Sequence, residues 1–202
     1  MAIESSKSML KRRTGDESKR SILRAACDVF AERGYEKASI REVAKRAQIS
    51  IGGIYLYFPN KQQLYTGLMK SQMNEFLGRI ETLRAEEAET ALRRLIELYM
   101  ELAVTKTKML STGIKEYDLA FKRPIRDSFF KAQHSIITDI LRKGIKSGTL
   151  RSMDCPGTAL MILVTLRGAI LGYLTGSIRR PKAYGRSLYE LFLNGIRSKE
   201  NG

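Results

Sequence analysis

The sequence predicts an all-α protein of about nine helices. Apolar residues recur at helical spacing through most of the 202-residue chain, and no segment shows a convincing alternation of apolar and polar residues. Capping residues, glycines and prolines divide these stretches into helix-sized segments. Apolar residues make up 43% of the chain and charged residues 28%, so it can bury a core in one or two domains.

The first 15 residues are polar, and we expect a flexible basic arm over residues 1–15. The cations that distinguish the arm are Lys7, Lys11, Arg12 and Arg13. A helical pattern begins at Asp16, and Gly34 is predicted to end it. Its buried face is predicted to contain Ile22, Ala25, Ala26, Val29 and Phe30.

Two short helices are predicted next. Ser39 and Glu42 have the spacing of a capping box, in which each side chain accepts a hydrogen bond from the other residue's amide. A three-residue turn, Gln48–Ser50, then leads into a helix over Ile51–Phe58, which Pro59 ends. The residues predicted to be buried in these two helices are Ile40, Val43, Ala44, Ala47, Ile54 and Phe58.

Longer helices complete the predicted fold. Asn60 is expected to cap a helix that runs to about Leu83. Apolar stripes predict further helices within residues 87–110, 125–147 and 155–176. Pro181 precedes a last helix.

The helices of residues 20–58 have the arrangement of a helix-turn-helix, whose later helix lies in the DNA major groove. Gly52 and Gly53 stand inside a short helix, where each costs about 1 kcal/mol relative to alanine. This cost favours a close approach of the backbone to DNA. Tyr55 and Tyr57 supply hydroxyls that can donate to phosphate, and Lys61 adds a cation at a helix N-terminus.

The net charge of +15 also favours a polyanionic partner, either nucleic acid or an anionic membrane surface. It excludes an acidic disordered protein. Residues 1–65 carry a net charge of +6 and residues 66–202 a net charge of +9. Positive charge is therefore only slightly denser in the predicted DNA-binding region, and the cations are also compatible with ordinary solvated surface.

Several classes of protein are excluded or disfavoured. Cys27 and Cys155 lie far apart, and with His134 as the only histidine they form neither a disulfide scaffold nor a zinc finger. The sequence contains no glycine-rich phosphate-binding loop, no HExxH and no GxSxG motif, so no catalytic residue, metal or cofactor is expected. Arg167 interrupts the most apolar stretch, which favours a buried helix over a membrane span.

The stretch ILRAACDVFAERGYEKASIREVAKRAQISIGGIYLYFPNKQQLY, residues 22–65, resembles the DNA-binding domain of the TetR/AcrR family of transcriptional repressors. The spacing that carries the resemblance is Phe30, Gly34, Tyr35, Ser39–Glu42, Gly52, Tyr55, Tyr57, Phe58 and Lys61. The resemblance implies a helix-turn-helix domain over residues 16–65 and a regulatory ligand-binding and dimerisation domain over 66–202. It implies DNA contacts at Ser39, Ile40, Arg41, Ser50, Ile51, Gly52, Gly53, Tyr55, Leu56, Tyr57 and Lys61.

Two features depart from the family pattern. Gln48 stands where glycine is usual in the turn, so its backbone is expected to be either left-handed and strained or differently turned. Ile51 and Gly53 replace residues that usually offer hydrogen-bonding side chains. We therefore expect base recognition to depend on Arg41 and Leu56, on contact of Ile51 with thymine methyls, and on DNA shape.

The resemblance also implies a homodimer formed by the last two helices. Gly168, Gly172 and Gly176 recur every four residues, and such stripes permit close helix approach. The predicted dimer contacts are Leu160, Leu163, Val164, Gly168, Leu171, Gly172, Leu188, Leu191 and Phe192. Burial of these residues within one subunit is the alternative.

A ligand pocket is expected among the helices between residues 65 and 175. The candidate contacts are Phe76, Tyr99, Met100, Met109, Tyr117, Phe121 and His134. Aromatic and methionine residues at helical spacing are also typical of a core, and His134 is equally compatible with a merely satisfied or exposed side chain.

Together these features predict a cytoplasmic, ligand-responsive repressor that binds a palindromic DNA operator as a dimer and is released by a small apolar effector. A transcriptional activator of the same fold remains an alternative, as do a basic membrane-surface protein and an enzyme. The basic arm is predicted either to reach a minor groove or flanking phosphates, or to be disordered.

Overall fold

The computed structural model describes residues 14–107 and 120–197. In these residues the all-α prediction is confirmed, with eight α-helices against the nine or so expected. The helices are α1 (Gly15–Lys37), α2 (Ile40–Ala47), α3 (Ile51–Tyr55), α4 (Lys61–Glu81), α5 (Ala88–Thr105), α6 (Arg123–Lys146), α7 (Cys155–Leu174) and α8 (Pro181–Ile196). Two short 3₁₀ helices, Thr82–Ala85 and Ala120–Lys122, follow α4 and precede α6.

Some element boundaries differ from the prediction. The helix expected over Ile51–Phe58 ends at Tyr55, because the amides of Tyr57 and Phe58 both donate to the carbonyl of Ile54 and form a turn. Gly34 breaks α1 as expected, with φ of 74°, but a helical turn continues to Lys37. The basic arm lies outside the described residues, apart from Thr14 and Gly15, which begin α1.

The chain divides into two compact units between Leu68 and Met69, within α4. In the first unit, α1 packs on α2 and α2 packs on α3 around a small apolar core. The core side chains are Ile22, Ala26, Val29, Phe30, Val43, Ala47, Ile54, Phe58 and Leu64. Phe30, Tyr35 and Tyr65 form a ring cluster with centroids 4.8–6.1 Å apart, which ties α4 to α1.

In the second unit, α5 packs against α6, α7 and α8, and α6 packs along α7. Small residues permit the closest approaches. A Cβ added to Gly144 would lie 2.5 Å from Leu150 Cδ1 and 2.8 Å from Ala88 Cβ. A Cβ added to Gly185 would lie 2.9 Å from Met100 Cγ, so glycine is what allows α8 to pack on α5.

Helix α7 is long and apolar enough to cross a membrane, with a mean hydropathy of 1.6 over its most apolar window. A single helix of this kind is a weak indication, because core helices of soluble proteins pass the same test. Ala159, Ile162, Leu163, Leu166 and Ala169 form the face of α7 that is buried against its own unit.

Candidate nucleic-acid interface

The N-terminus of α2 is capped as the sequence predicts, but only in part. Ser39 Oγ accepts a hydrogen bond from the amide of Glu42 at 3.1 Å. In the described residues the Glu42 carboxylate lies beside Arg33 and Arg46, 3.5 Å from each guanidinium, instead of returning to the Ser39 amide. The capping box is therefore wrong in its second half, because nearby arginines attract the carboxylate. A complete capping box is instead found at Thr14 and Glu17.

Helix α2 is fixed to α1 by polar contacts as well as by its apolar face. The Arg46 guanidinium donates two hydrogen bonds to the Glu32 carboxylate, at 2.8 and 2.5 Å. The hydrogen bonds from Arg46 to Glu32 raise the pKa of Arg46. Ser21 Oγ also donates to the carbonyl of Ala47 at 3.3 Å. These contacts set α2 on α1 and leave Arg41 and Lys45 exposed, one helical turn apart.

The turn after α2 adopts the left-handed alternative at Gln48, with φ 55° and ψ 45°. The Gln48 amide donates to the carbonyl of Lys45 at 3.3 Å, and the Ile49 amide donates to Ala44 at 3.1 Å. This bonding closes the end of α2 in the manner of a Schellman motif. The turn is therefore the tight one that the motif needs, at the cost of a left-handed non-glycine residue.

Ser50 begins α3, and its Oγ accepts from the Gly53 amide at 3.0 Å. One side of the segment forms a buried floor, since Ile54 is 0% and Phe58 is 5% exposed. The other side carries apolar residues that face solvent, with Ile51 39%, Tyr55 47% and Leu56 86% exposed. An apolar, solvent-facing strip on a rigid floor is suited to contact with base edges and thymine methyls.

The two positions of α3 that are occupied by glycine have different surroundings, which explain the glycine differently. A Cβ added to Gly52 would have nothing within 4 Å, so nothing inside the described chain demands glycine there. A Cβ added to Gly53 would lie 2.7 Å from Ile49 Cγ2 and 3.1 Å from Ser50 Oγ. Intramolecular packing accounts for Gly53, and close approach to DNA remains the explanation only for Gly52.

The Lys61 side chain makes contacts within its own unit. Its Nζ donates to the carbonyl of Glu36 at 2.8 Å and lies 4.7 Å from the centre of the Tyr35 ring. Asn60 Oδ1 accepts from the Gln63 amide at 2.8 Å, which confirms the predicted cap of α4. Lys61 therefore ties the end of α1 to the start of α4, in addition to any contact with phosphate. Tyr57 is half-buried, with its hydroxyl 3.7 Å from the position of a Cβ on Gly15.

The predicted DNA contacts thus lie between the N-terminal cap of α2 and the first residue of α4. Ser39, Arg41, Ser50, Ile51, Gly52, Tyr55 and Leu56 are exposed, and Ile40, Gly53, Tyr57 and Lys61 are half-buried. Ile40 was predicted to be in the core and is only half-buried. Lys45 was not among the predicted contacts, although its spacing of four residues from Arg41 places both cations on one helix face.

The predicted ligand contacts lie mostly inside the core of the second unit. Phe76, Tyr99 and Met100 are buried, and the Phe76 ring packs edge-on against Tyr99 at 5.1 Å. Phe121 is half-buried. Met109 and Tyr117 lie outside the described residues. His134 is half-buried, with Nε2 2.9 Å from the carbonyl oxygen of Pro156, so it is satisfied.

Tyr99 also takes part in a buried polar contact that the sequence did not predict. Its hydroxyl donates to Gln133 Oε1, and Gln133 Nε2 donates to the carbonyl of Phe129 at 3.1 Å. Burial raises the pKa of Tyr99, and the nearby charge of Arg167 opposes this effect. No sequence pattern joins residues 34 positions apart, so this pair was visible only in the fold.

An open cleft of about 370 Å³ lies beside this core, between α4 and α6. Its lining residues are Lys70, Met73, Asn74, Leu77, Pro124, Ile125, Ser128 and Phe129. The Phe129 ring also lies 6.2 Å from Phe76, so the cleft is backed by the buried aromatic layer. None of its lining residues was among the predicted ligand contacts.

The predicted dimer residues divide into two groups. Leu163 and Leu188 are buried in the core of their own unit, so the alternative of burial within one subunit holds for them. Gly172 is half-buried, and a Cβ there would lie 2.9 Å from Ile178 Cδ1. Phe192 is also half-buried. Leu160, Val164, Gly168, Leu171 and Leu191 are exposed, together with Met161, which was not predicted.

Comparison with known proteins finds a family match in the N-terminal part of the chain and relatives along most of its length. The model of the bacterial regulatory proteins of the tetR family matches residues 22–68. The fatty acid metabolism regulator protein of Bacillus subtilis is 29% identical over 191 residues, covering 88% of this chain and 95% of that protein. The HTH-type transcriptional repressor KstR2 of Mycolicibacterium smegmatis is 23% identical over 189 residues, covering 87% and 88% respectively.

The fold is likewise shared with a solved structure. The transcriptional regulator FadR from Bacillus subtilis, in complex with stearoyl-CoA, matches with a TM-score of 0.75 and 27% identity. The match covers 88% of this chain and 98% of that one. These relatives are transcriptional regulators and not enzymes. The chain is therefore a DNA-binding transcriptional regulator whose residues 22–68 match the TetR family.

Proposed function

We propose that the chain is a ligand-responsive repressor that binds a palindromic operator as a homodimer and dissociates from it when a small amphiphilic effector binds. The observation that carries the DNA-binding part is the exposed strip of Ile51, Tyr55 and Leu56 on the buried floor of Ile54 and Phe58. We also infer a cytoplasmic location, because the related bacterial regulators act on DNA there.

The first experiment is selection of bound duplexes from a random library, followed by fluorescence anisotropy on the selected duplex. We expect enrichment of a palindrome. Arg41→Gln should reduce affinity and relax the preference at one base pair, because Arg41 is exposed at the start of the motif. Arg142→Gln is the matched control, since Arg142 is an exposed arginine of the other unit. Equal effects of the two variants would contradict base recognition by the motif.

Tyr55 and Lys61 require different variants because their surroundings differ. Tyr55→Phe removes only an exposed hydroxyl, so we expect weaker binding to all sequences with unchanged stability. Lys61→Ala would also break the contact with Glu36 and the Tyr35 ring. Its effect on DNA must therefore be compared with its effect on the melting temperature. A loss of affinity without any change in melting temperature would assign Lys61 to phosphate alone.

Dimerisation is supported by the exposed apolar face of α7 and α8, formed by Leu160, Met161, Val164, Leu171 and Leu191. These large apolar side chains are uncovered in a single chain, and monomeric proteins rarely expose large apolar patches. A two-fold dimer would also present two recognition helices, as a palindrome requires. Val164→Arg should yield monomers in sedimentation velocity, while Val104→Arg, at an exposed valine of α5, should not. A Val164→Arg chain that remains dimeric would exclude this face.

The effector is proposed to have an apolar chain and an anionic head. The related FadR structure contains stearoyl-CoA, and the cleft between α4 and α6 combines an apolar wall with Lys70. Stearoyl-CoA should bind and weaken operator affinity, while stearate and coenzyme A alone should bind less well. Ser128→Phe should block the cleft without affecting operator binding, and Ser135→Phe, exposed on the same helix, is the control.

The coupling between effector binding and operator binding provides a stricter test of release from the operator. If the effector weakens operator binding by a given factor, operator must weaken effector binding by the same factor. Equal effector affinity with and without operator would contradict the proposed release while leaving the DNA-binding function intact.

A further inference from the structure

The two ends of the second unit differ in how their charges are paired. One end contains the start of α5, the end of α6 and the end of α8. Ion pairs at this end, which we call the paired end, are Arg84–Asp139, Arg94–Glu86 and Arg197–Glu89. Lys143 Nζ also donates to the carbonyls of Ala85 and Glu86 there, at 3.0 and 2.7 Å. The hydrogen bond from Arg197 holds the pKa of Glu89 below its usual range.

The opposite end contains the last turns of α5 and the first turn of α8. Near the start of α8, Gly185 packs beside Met100, which lies near the end of α5. Just after the end of α8, Arg197 pairs with Glu89, which lies at the start of α5. Helices α5 and α8 are therefore antiparallel, and the α7–α8 connection lies at the end of α5. The cleft residue Lys70 is at the N-terminal end of α4 within this unit, beside the start of α6.

Four exposed cations are concentrated at the α7–α8 connection. We call Arg179, Arg180, Lys182 and Arg186 the cationic corner. In the described part of the chain none of the four is in a salt bridge. The nearest carboxylate along the chain is Glu190, one turn beyond Arg186, and Glu101 of α5 is already held by Arg79 at 2.6 Å.

The sequence explains why these cations have no local partners. From Cys155 to Tyr189 the chain contains five cations and no acidic residue. Lys182 also stands in the first turn of α8, where the helix dipole disfavours a cation. Cations placed against the dipole and without carboxylates do not stabilise the fold, so an external anion is the more economical explanation for them.

We propose that the cationic corner is a second DNA-contacting surface, which binds backbone phosphates in addition to the contacts of the helix-turn-helix. The inference rests on the proposed DNA-binding function. Arginine and lysine side chains bind phosphate oxygens without reading sequence, and Tyr184, exposed within the same segment, adds a hydroxyl donor. DNA is favoured over an anionic membrane because the chain is a DNA-binding regulator.

The test measures operator affinity of the full-length chain across a salt series. The variant is Arg179→Gln/Arg180→Gln/Lys182→Gln. The control, Lys131→Gln/Arg142→Gln/Lys146→Gln, removes the same charge from exposed positions of α6. The corner variant should fold at least as well as the parent, because it removes a cation from the first turn of α8. Thermal melts of the corner variant and the parent check this, and with equal melting temperatures a loss of affinity reports lost DNA contacts.

We expect the corner variant to bind operator about tenfold more weakly at low salt. Its plot of log affinity against log salt should be shallower by about 0.9 for each phosphate that the protein no longer neutralises. The control should leave both quantities close to the parent values. Equal effects of the two variants, or no effect of either, would overturn the proposal.

Two further measurements separate the alternatives. Binding of both variants to vesicles containing phosphatidylserine is measured in parallel, and a loss there without a loss on DNA would assign the corner to membranes and overturn the proposal. The salt slope is also measured on a scrambled duplex. If the parent shows no preference for any sequence, the proposed function fails, and the slope on scrambled DNA still decides whether the corner binds phosphate.

Discussion

The two units use the same residue types in opposite ways. In the DNA-binding unit, Tyr55, Ile51 and Leu56 face solvent from a buried floor. In the second unit, the aromatic and methionine residues chosen by the same reasoning, Phe76, Tyr99 and Met100, are packed into the core. An apolar side chain that faces solvent from a rigid helix contributes little to stability and can contact a partner. A buried apolar side chain stabilises the core and cannot contact a partner.

The comparison shows which observations identify a site. An exposed tyrosine or leucine beside a capped turn indicates a contact surface, because folding gives no reason to leave it uncovered. A buried tyrosine at helical spacing does not indicate a ligand site, even when its hydroxyl is bonded to Gln133 as in Tyr99. The open cleft between α4 and α6 lies next to these buried residues but is lined by others.

The largest expected effect is on the stability of the second unit. Tyr99→Ala removes a fully buried ring that packs against Phe76, so we expect a loss of about 3–5 kcal/mol in the free energy of unfolding. Tyr55→Ala should change stability by no more than about 0.5 kcal/mol, because that ring is half exposed. Urea unfolding of both variants measures the contrast. Similar losses would mean that Tyr55 is also a core residue and would break the comparison.

The second prediction concerns alkaline pH. Burial raises the pKa of Tyr99 above its unfolded value of about 10, so the folded state keeps the neutral hydroxyl where the unfolded chain ionises. The stability this contributes is complete below pH of about 10 and is lost as pH rises towards the folded pKa. Urea midpoints of the parent chain should therefore fall above that pH.

Tyr99→Phe isolates this contribution. It should cost about 1–3 kcal/mol at neutral pH, because Gln133 Oε1 loses its donor inside the core. It should also flatten the alkaline decline relative to the parent chain. An unchanged decline in the variant would assign it to other groups and would show that Tyr99 is accessible to water.

Local signals explain most of what could be predicted from the sequence. The caps at Ser39 and Asn60 and the three-residue turn at Gln48 depend on contacts within about five residues, and the structure shows each of them. The half of the capping box that failed did so because Arg33, nine residues away, and Arg46, four residues away, both attract Glu42. Part of this error therefore comes from a tertiary contact, which local spacing does not reveal.

The proposed effector cleft and the buried contact beside it depend on contacts between distant residues. Tyr99 pairs with Gln133, and Lys70 of α4 lines a cleft with Ser128 of α6. Helical periodicity identifies the buried face of each helix but does not show which faces of different helices pack together. It therefore could not distinguish residues that line the cleft from residues buried in the core. For the same reason the predicted dimer set combined exposed Leu191 with buried Leu188.

The third prediction separates the two glycines of α3. Gly52→Ala should stabilise the DNA-binding unit by up to about 1 kcal/mol, since a methyl there meets nothing and alanine is the better helix former. It should nevertheless weaken operator binding if the backbone approaches DNA. Gly53→Ala should give no such gain, because its methyl would lie 2.7 Å from Ile49 Cγ2. Thermal melts with operator titrations measure both, and a stabilised Gly52→Ala with unchanged affinity would remove the functional explanation for that glycine.

The smallest expected effect is at Gln48, in the turn between α2 and α3. Gln48 is left-handed, which costs a non-glycine residue about 1–2 kcal/mol, while glycine there adds about 0.4–1 kcal/mol of unfolded-state entropy. Gln48→Gly should therefore stabilise the unit by about 0.5–1 kcal/mol and leave operator affinity unchanged, because the hydrogen bonds of the turn are made by backbone atoms. Gln48→Ala keeps the strain and should give no gain. If glycine proves no more stable than glutamine, the Gln48 side chain must make a compensating contact, and the turn would be a functional feature and not a tolerated departure.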